Sequence, residues 1–266
     1  LSRTIKLKWS NEANAGTIAF DSNGGSAVPM LRLLAGTALG GKMPAAPTRV
    51  GYTFAGWYTD KALSNSFTAT AMPKGNTTLY AKWTPNTVKY TVEHYQKALN
   101  GQYVLIDSDR TQTGKVGEQT TAVAKNYTGF TAQAVKQQTI ASDGSTFVAI
   151  YYDRNLYDLK FVYGNGSNDI ALKVPYGTAI VEPFNPTKEG YNFAGWNVAI
   201  PDVMPANALT FTAIWTEKTD TQYIVKHYKQ ELNGEYELEQ VDGMFGTTGQ
   251  YTSAKARTYT GFTAKK

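Results

Sequence analysis

Two pairs of carboxylates stand two residues apart, Asp107 with Asp109 and Glu237 with Glu239, and such pairs are the raw material of glycoside cleavage. That chemistry needs the two groups to face each other across a cleft at a defined separation. On an extended strand they share one face with no cleft between them. They are expected to be solvated edge charges, which also discourage edge-to-edge association. His94 and His227 are the two histidines of the chain. A metal site needs several converging ligands, and one histidine per repeat without any cysteine does not supply them. Alternation places Val92 and His94 on one face, which predicts a half-buried histidine on a sheet. The Gly-rich segments Asp21-Ser-Asn-Gly-Gly25 and Gly164-Asn-Gly-Ser-Asn-Asp169 carry oxygen ligands of the kind calcium takes. Neither has EF-hand spacing, and both read as hairpin turns. With no nucleophile elbow, phosphate loop or Ser–His–Asp pattern, no catalytic, cofactor-binding or metal-binding residue is assigned.

Aromatic side chains are the remaining source of recognition chemistry. The tryptophans are Trp9, Trp57, Trp83, Trp196 and Trp215. Trp57 is equivalent by repeat to Trp196, and Trp83 to Trp215 and Trp9. Core filling is therefore favoured over glycan stacking, since a buried large aromatic anchors a small module. Tyrosine is abundant, at 18 residues. Cross-strand tyrosines stabilise sheets, and they also suit recognition surfaces, being large, rigid and amphipathic. Tyr58, Tyr95 and Tyr228 are the candidate ligand-contacting residues.

The elements that must position these groups recur. Gly51-Tyr-Thr-Phe-Ala-Gly-Trp57 returns as Gly190-Tyr-Asn-Phe-Ala-Gly-Trp196, an offset of 190 − 51 = 139. Tyr90-Thr-Val-Glu-His-Tyr95 returns as Tyr223-Ile-Val-Lys-His-Tyr228, and Tyr127-Thr-Gly-Phe-Thr-Ala132 as Tyr259-Thr-Gly-Phe-Thr-Ala264. Two module types, A and B, thus alternate, the pattern of a repeat array. Leu79, Ala81 and Trp83 alternate with Tyr80 and Lys82, and Phe211, Ala213 and Trp215 repeat that frame, as half-buried strands do. Asn-Gly and Asp-Gly pairs punctuate the chain as tight turns. Short helices are expected only over Met30–Ala35 and Asp60–Leu63. The fold class is mostly β with short helices.

The expected boundaries are 1–14 for the last strand of a preceding A-type module, 15–84 for A, 85–154 for B, 155–216 for A and 217–266 for a truncated B. Modules of this size are near the lower limit for an independent core. With no cysteine, no disulfide supports them. The net charge of +5 is spread along the chain, without the clustered footprint of a nucleic-acid binder. No apolar run reaches the ~20 residues that span a bilayer. The closing segment of the first B, through Phe147–Tyr152, has no counterpart in the second. The last module is therefore expected to present an open sheet edge, with the strand Arg3–Trp9 as a donor for such an edge.

Module A resembles the Listeria–Bacteroides repeat, or internalin B-repeat. The resemblance rests on Thr17-Ile-Ala-Phe-Asp-Ser-Asn-Gly-Gly25, Pro47-Thr-Arg-Val-Gly-Tyr-Thr-Phe-Ala-Gly-Trp-Tyr58, Met72-Pro73 and Leu79-Tyr-Ala-Lys-Trp83. The second copy keeps Pro186 to Trp196, Met204-Pro205 and Ile214-Trp215, but has Asn197 where the first has Tyr58. Module B resembles mucin-binding-protein-like repeats through Tyr90 to Tyr95, Gly117-Glu118, Tyr127 to Phe130 and Asp143 to Arg154. These resemblances imply tandem β-grasp-like modules in an extended array, outside the cell at a bacterial cell wall. They imply a non-catalytic stalk of an adhesin, with neighbouring modules as partners. The alternatives are direct multivalent binding of mucin or other host glycoprotein glycans, or accessory modules tethering an enzyme domain elsewhere. No cofactor and no nucleic-acid partner is expected.

Overall fold

The computed structural model describes residues 12–265, so Trp9 and the donor strand expected over Arg3–Trp9 lie outside the described residues. The chain divides into two compact units. Of the described residues, one comprises 12–126 together with 132–153; the other comprises 127–131 and 154–265.

In the first unit a short 3-10 turn, Glu12–Asn14, leads into β1 (Ala15–Asp21), β2 (Leu31–Leu34), β3 (Tyr52–Tyr58) and β4 (Gly75–Pro85). They form one sheet in the order β2-β1-β4-β3. The central pair β1–β4 is parallel, and the outer pairs are antiparallel. Ile18, Leu79 and Ala81 are buried where their alternation places them, and Trp83 is half-buried on the same face. Ile18, Leu39, Met72 and Leu79 form the core, with Phe20, Leu31, Leu33, Trp57 and Phe67 packed on it.

Neither expected helix forms. Leu31–Leu34 is strand β2, and its alternating burial shows a period of two. At Asp60 the carboxylate accepts the backbone N–H groups of Ser64 and Asn65 and closes a turn, with Leu63 at a φ of 57°. An acidic side chain that bonds nearby backbone competes with helix in this way.

The Phe-Ala-Gly-Trp repeat has a specific geometric meaning. The β3–β4 register shifts between Phe54 and Gly56, leaving one extra residue on β3, and Gly56 has a φ of 114°. Residues three apart on a regular strand face opposite sides; the bulge brings Phe54 and Trp57 to one side. Their ring centroids lie 5.2 Å apart, edge to face. The second copy repeats this, with a register shift between Phe193 and Gly195 and ring centroids of Phe193 and Trp196 at 5.3 Å.

The chain continues through β5 (Thr87–Lys89), β6 (Thr91–Lys97), β7 (Tyr103–Asp109), β8 (Thr113–Lys115), β9 (Phe130–Ala132) and β10 (Phe147–Arg154). Strand β6 lies between β7, antiparallel to it, and β10, parallel to it. Strands β5 and β8 form a separate antiparallel pair. Tyr90, Val92, His94, Val148, Ile150 and Tyr152 are buried on the inner face.

The second unit repeats the first plan. Its strands are β11 (Leu156–Val162), β12 (Ile170–Pro175), β13 (Tyr191–Trp196) and β14 (Leu209–Glu217), in the order β12-β11-β14-β13. The core is Leu159, Phe161, Met204 and Phe211. An antiparallel pair follows, β15 (Thr221–Gln230) with β16 (Tyr236–Gly246). Among the described residues β15 pairs with β16 alone.

One hydrogen-bond ladder recurs within the units. In the first unit the Asn86 N–H donates to the Gly51 carbonyl at 2.9 Å, and the Val116 N–H donates to the Asn86 carbonyl at 3.1 Å. In the second unit Gly129, Asn155 and Tyr176 repeat this, and so do Gly190, Lys218 and Thr248, all at 2.8–2.9 Å. The three glycines have φ of 78°, 80° and 77°. A Cβ on any of them would collide with a side chain, of Ser142, Tyr176 and Thr248 respectively. Thr53 and Thr131 reinforce the first two ladders by donating to the side chains of Asn86 and Asn155.

Candidate functional site

The outer face of the second sheet gathers the aromatic and charged side chains that the first sheet buries or disperses. Parallel pairing sets Tyr151 opposite Tyr95 and Ala149 opposite Glu93. The rings of Tyr95 and Tyr151 stack with centroids 5.3 Å apart, and Tyr103 packs edge-on against Tyr151 at 4.9 Å. Two carboxylates fix the phenols. The Tyr95 hydroxyl donates to Glu93 at 2.6 Å, and the Tyr103 hydroxyl donates to Asp153 at 2.6 Å. Asp153 also accepts from Lys97 and from the Gln133 amide.

These bonds set the charge of the face. The bond to Glu93 raises the Tyr95 phenol above its usual value, and the bond to Asp153 does the same for Tyr103. Asp153 is held below the ordinary carboxylate range, first by the Tyr103 hydroxyl and then by Gln133. At neutral pH the face therefore presents neutral phenols beside an ionised Asp153, a rigid set of donors, acceptors and ring surfaces.

The three tyrosines singled out by sequence are not brought together. Tyr58 lies in the first sheet, with the Lys82 ammonium over its ring at 4.7 Å. Tyr95 belongs to the stacked cluster. Tyr228 is in the second unit, half exposed, opposite Leu238 on β16. Sequence reading did not identify Tyr151, Asp153, Arg110 or Phe147 as site residues. The alternation of Phe147-Val-Ala-Ile-Tyr-Tyr-Asp puts Phe147, Tyr151 and Asp153 on one face. Their neighbours depend on the parallel pairing with β6, a long-range register that local pattern does not carry.

The carboxylate pairs have other employment. Asp107 and Asp109 stand opposite His94 and Val92, on the inner side of the sheet. Although they face the side of His94, they are solvated edge charges as expected: β7 is an edge strand of its sheet, the Asp107 side chain is 40% exposed, and Glu237 and Glu239 are exposed on β16. Asp107 is ion-paired with Lys125, which lowers its pKa. Asp109 is brought down to about 2 by bonds from Thr111 and Gln112. Glu239 is paired with Lys229 at 2.8 Å. The two Gly-rich turns are closed by their own carboxylates: Asp21 accepts the Asn23 N–H, and Asp169 accepts the Tyr163 N–H.

His94 is buried to 1% exposure, deeper than the half-buried position expected. Its Nδ1 meets the Tyr152 hydroxyl, which also accepts the Lys125 N–H. Trp83 and Trp215 are tied to backbone, their indole N–H groups donating to the carbonyls of Ser22 and Tyr163 at 2.9 and 2.8 Å. Both tryptophans latch the turn that leaves the first strand of their sheet.

Residues 17–82 and 157–222 each match the Listeria-Bacteroides repeat domain, so the chain carries two copies of it. Over 200 residues, 73% of the chain, it is 28% identical to a protein of Evansella cellulosilytica provisionally named a Gly-rich membrane protein, of which it covers 22%. A second protein of that organism, provisionally named a membrane protein, is 28% identical over 201 residues, with 29% of it covered. A stretch of 45 residues, 16% of the chain, is 51% identical to internalin H of Listeria monocytogenes and covers 8% of it. The chain thus spans under a third of the length of each relative. No helix among the described residues is long and apolar enough to cross a membrane.

Proposed function

Starting from a chain with two Listeria-Bacteroides repeat domains, we propose that it is a non-catalytic repeat region of a bacterial surface protein, acting as a stalk that holds other domains away from the cell wall. The observation that carries this reading is the recurring ladder at Gly51, Gly129 and Gly190. Within each unit it ties the segment that follows one sheet to the elements next to it by backbone hydrogen bonds. The alternation of sheets along the chain supports tandem β-grasp-like modules, and the names of the relatives support a surface location. Small-angle scattering tests the stalk. A compact chain of this length has a radius of gyration of about 18 Å. A value well above that, with a rod-like distance distribution, is the expected result; a value near it sinks the reading.

A second reading is supported by the stacked face of Tyr95, Tyr151 and Tyr103: the second module, B-type and mucin-binding-like, contacts host glycans directly. Aromatic rings and fixed polar groups together are what sugar and protein recognition surfaces share. Retention of the folded chain on immobilised mucin is the test.

A further inference from the structure

At the end of the stacked face nearest the start of β6 lies a shallow depression of 440 Å³, lined by Thr91, Glu93, Tyr95, Arg110 and Phe147. Its shape follows from β10. Phe147, Ala149 and Tyr151 share the outer face, and Ala149 puts only a methyl group opposite Glu93. The depression opens between two aromatic side chains for that reason. Phe147 is 58% exposed, an unusual position for a phenylalanine with a buried inner face available one residue away at Val148. The floor is polar: the Glu93 carboxylate is oriented by the Tyr95 hydroxyl on one oxygen, which leaves its remaining acceptor capacity for a ligand.

We propose that this depression is a subsite for one ring of a neutral saccharide. The assignment rests on the glycan-contact reading above and deepens it to particular residues. The exposed Phe147 ring offers an apolar plane for the C–H face of a pyranose. Glu93 accepts from ring hydroxyls, and the Arg110 guanidinium and the Thr91 hydroxyl donate to them. One carboxylate and one guanidinium balance each other, so the pair favours an uncharged, hydroxyl-rich ligand over an anion or a cation. The volume lies at the small end of the range for ligand sites, which suits a single ring of a chain that continues over the Tyr95–Tyr151 stack.

The same site is not rebuilt in the second B repeat. The equivalents of Thr91, Glu93, Tyr95 and Arg110, read from the sequence repeat and the strand registers, are Ile224, Lys226, Tyr228 and Gly243. Only the tyrosine recurs. The proposal therefore predicts one saccharide site in this chain, where an adhesive array of like modules predicts one per B repeat.

The test is chemical-shift mapping of the whole chain during titration with three neutral trisaccharides, maltotriose, cellotriose and triacetylchitotriose, and with the tripeptide Gly-Arg-Gly. The expected result is saturable shifts at Thr91, Glu93 and Ala149 with at least one sugar. Phe147→Ala and Arg110→Ala should each weaken that binding at least fivefold, and Phe245→Ala on β16 should leave it unchanged. Shifts with Gly-Arg-Gly alone would overturn the proposal in favour of a cationic peptide. So would sugar binding that maps to β15 and β16. If the chain is retained on mucin and Phe147→Ala is retained equally well, the site is wrong and the glycan-contact reading stands. If neither mucin nor any trisaccharide binds, both fall.

Discussion

The imidazole Nδ1 of His94 lies 2.7 Å from the Tyr152 hydroxyl, and both side chains are buried. The hydroxyl oxygen already accepts the Lys125 N–H at 2.8 Å. Its own proton can therefore point to Nδ1, which makes His94 a neutral acceptor at that nitrogen. Burial lowers the His94 pKa from the ordinary 6.5, and Lys125 lowers it further, against opposing effects of Asp107 and Asp109.

The direction of the pH effect follows. In the unfolded chain His94 takes up a proton as pH falls through about 6.5, while in the folded chain it does so only at lower pH. Stability is complete above that range and is lost as pH falls from 6.5 toward the folded value, by no more than about 1.4 kcal/mol per pH unit for one proton. Denaturant unfolding of the first unit between pH 7.5 and 5.5 measures it. His94→Gln should lower stability at pH 7.5 and flatten the profile; an unchanged slope in that variant would remove His94 as the cause.

Tyr152→Phe tests the other partner. It removes the acceptor of the Lys125 N–H and the hydroxyl facing His94 with almost no change of volume. An expected loss of about 1–3 kcal/mol reflects buried polar groups left without that partner. A loss below 0.5 kcal/mol, roughly the low end for one net hydrogen bond, would show the network is not needed for stability.

The glycine ladder separates backbone strain from packing. Gly36 has a φ of 82° with nothing close to its missing Cβ, whereas Gly51 has a φ of 78° with the Ser142 Cβ only 2.5 Å from where its own would stand. Gly36→Ala should cost about 1–2 kcal/mol from the left-handed conformation alone. Gly51→Ala should cost clearly more, because the neighbouring module must also shift. Equal losses in thermal unfolding would mean that the contact at Gly51 yields freely.

Trp83→Phe and Trp215→Phe remove equivalent indole donors to Ser22 and Tyr163. Each should cost about 1–4 kcal/mol, a lost hydrogen bond combined with a partly filled cavity. Gly25 packs directly on the Trp83 ring. Trp83→Phe should therefore also quicken amide exchange at Gly25 and Ser26.

Repetition and strand alternation made much of this structure legible. Leu79 and Ala81, Phe211 and Ala213 are buried on the predicted faces, and the mostly β class follows from them. Met30–Ala35 misled because Leu31, Leu33 and Leu34 fit a short helical turn as readily as a strand, and only pairing with β1 decides. The bulge at Gly56 explains the Phe-Ala-Gly-Trp motif but leaves no signature beyond the glycine itself. The outer face of the second sheet was half legible. Tyr95 stood out by repetition, whereas Tyr151, Phe147 and Arg110 reach it through the β6–β10 and β6–β7 pairings, which join residues distant in the chain.

The parallel pairing of β1 with β4 has a mechanical consequence. β1 is where the chain enters its sheet and β4 is where it leaves, and the two run side by side from Gly16 beside Gly75 to Asp21 beside Tyr80. Tension along the polypeptide would draw them in opposite directions along their shared axis. The hydrogen bonds between them would then be loaded together in shear, whereas an antiparallel hairpin pulled by its ends opens one bond at a time. β11 and β14 share this arrangement, so tension on that sheet would load its central hydrogen bonds in shear as well.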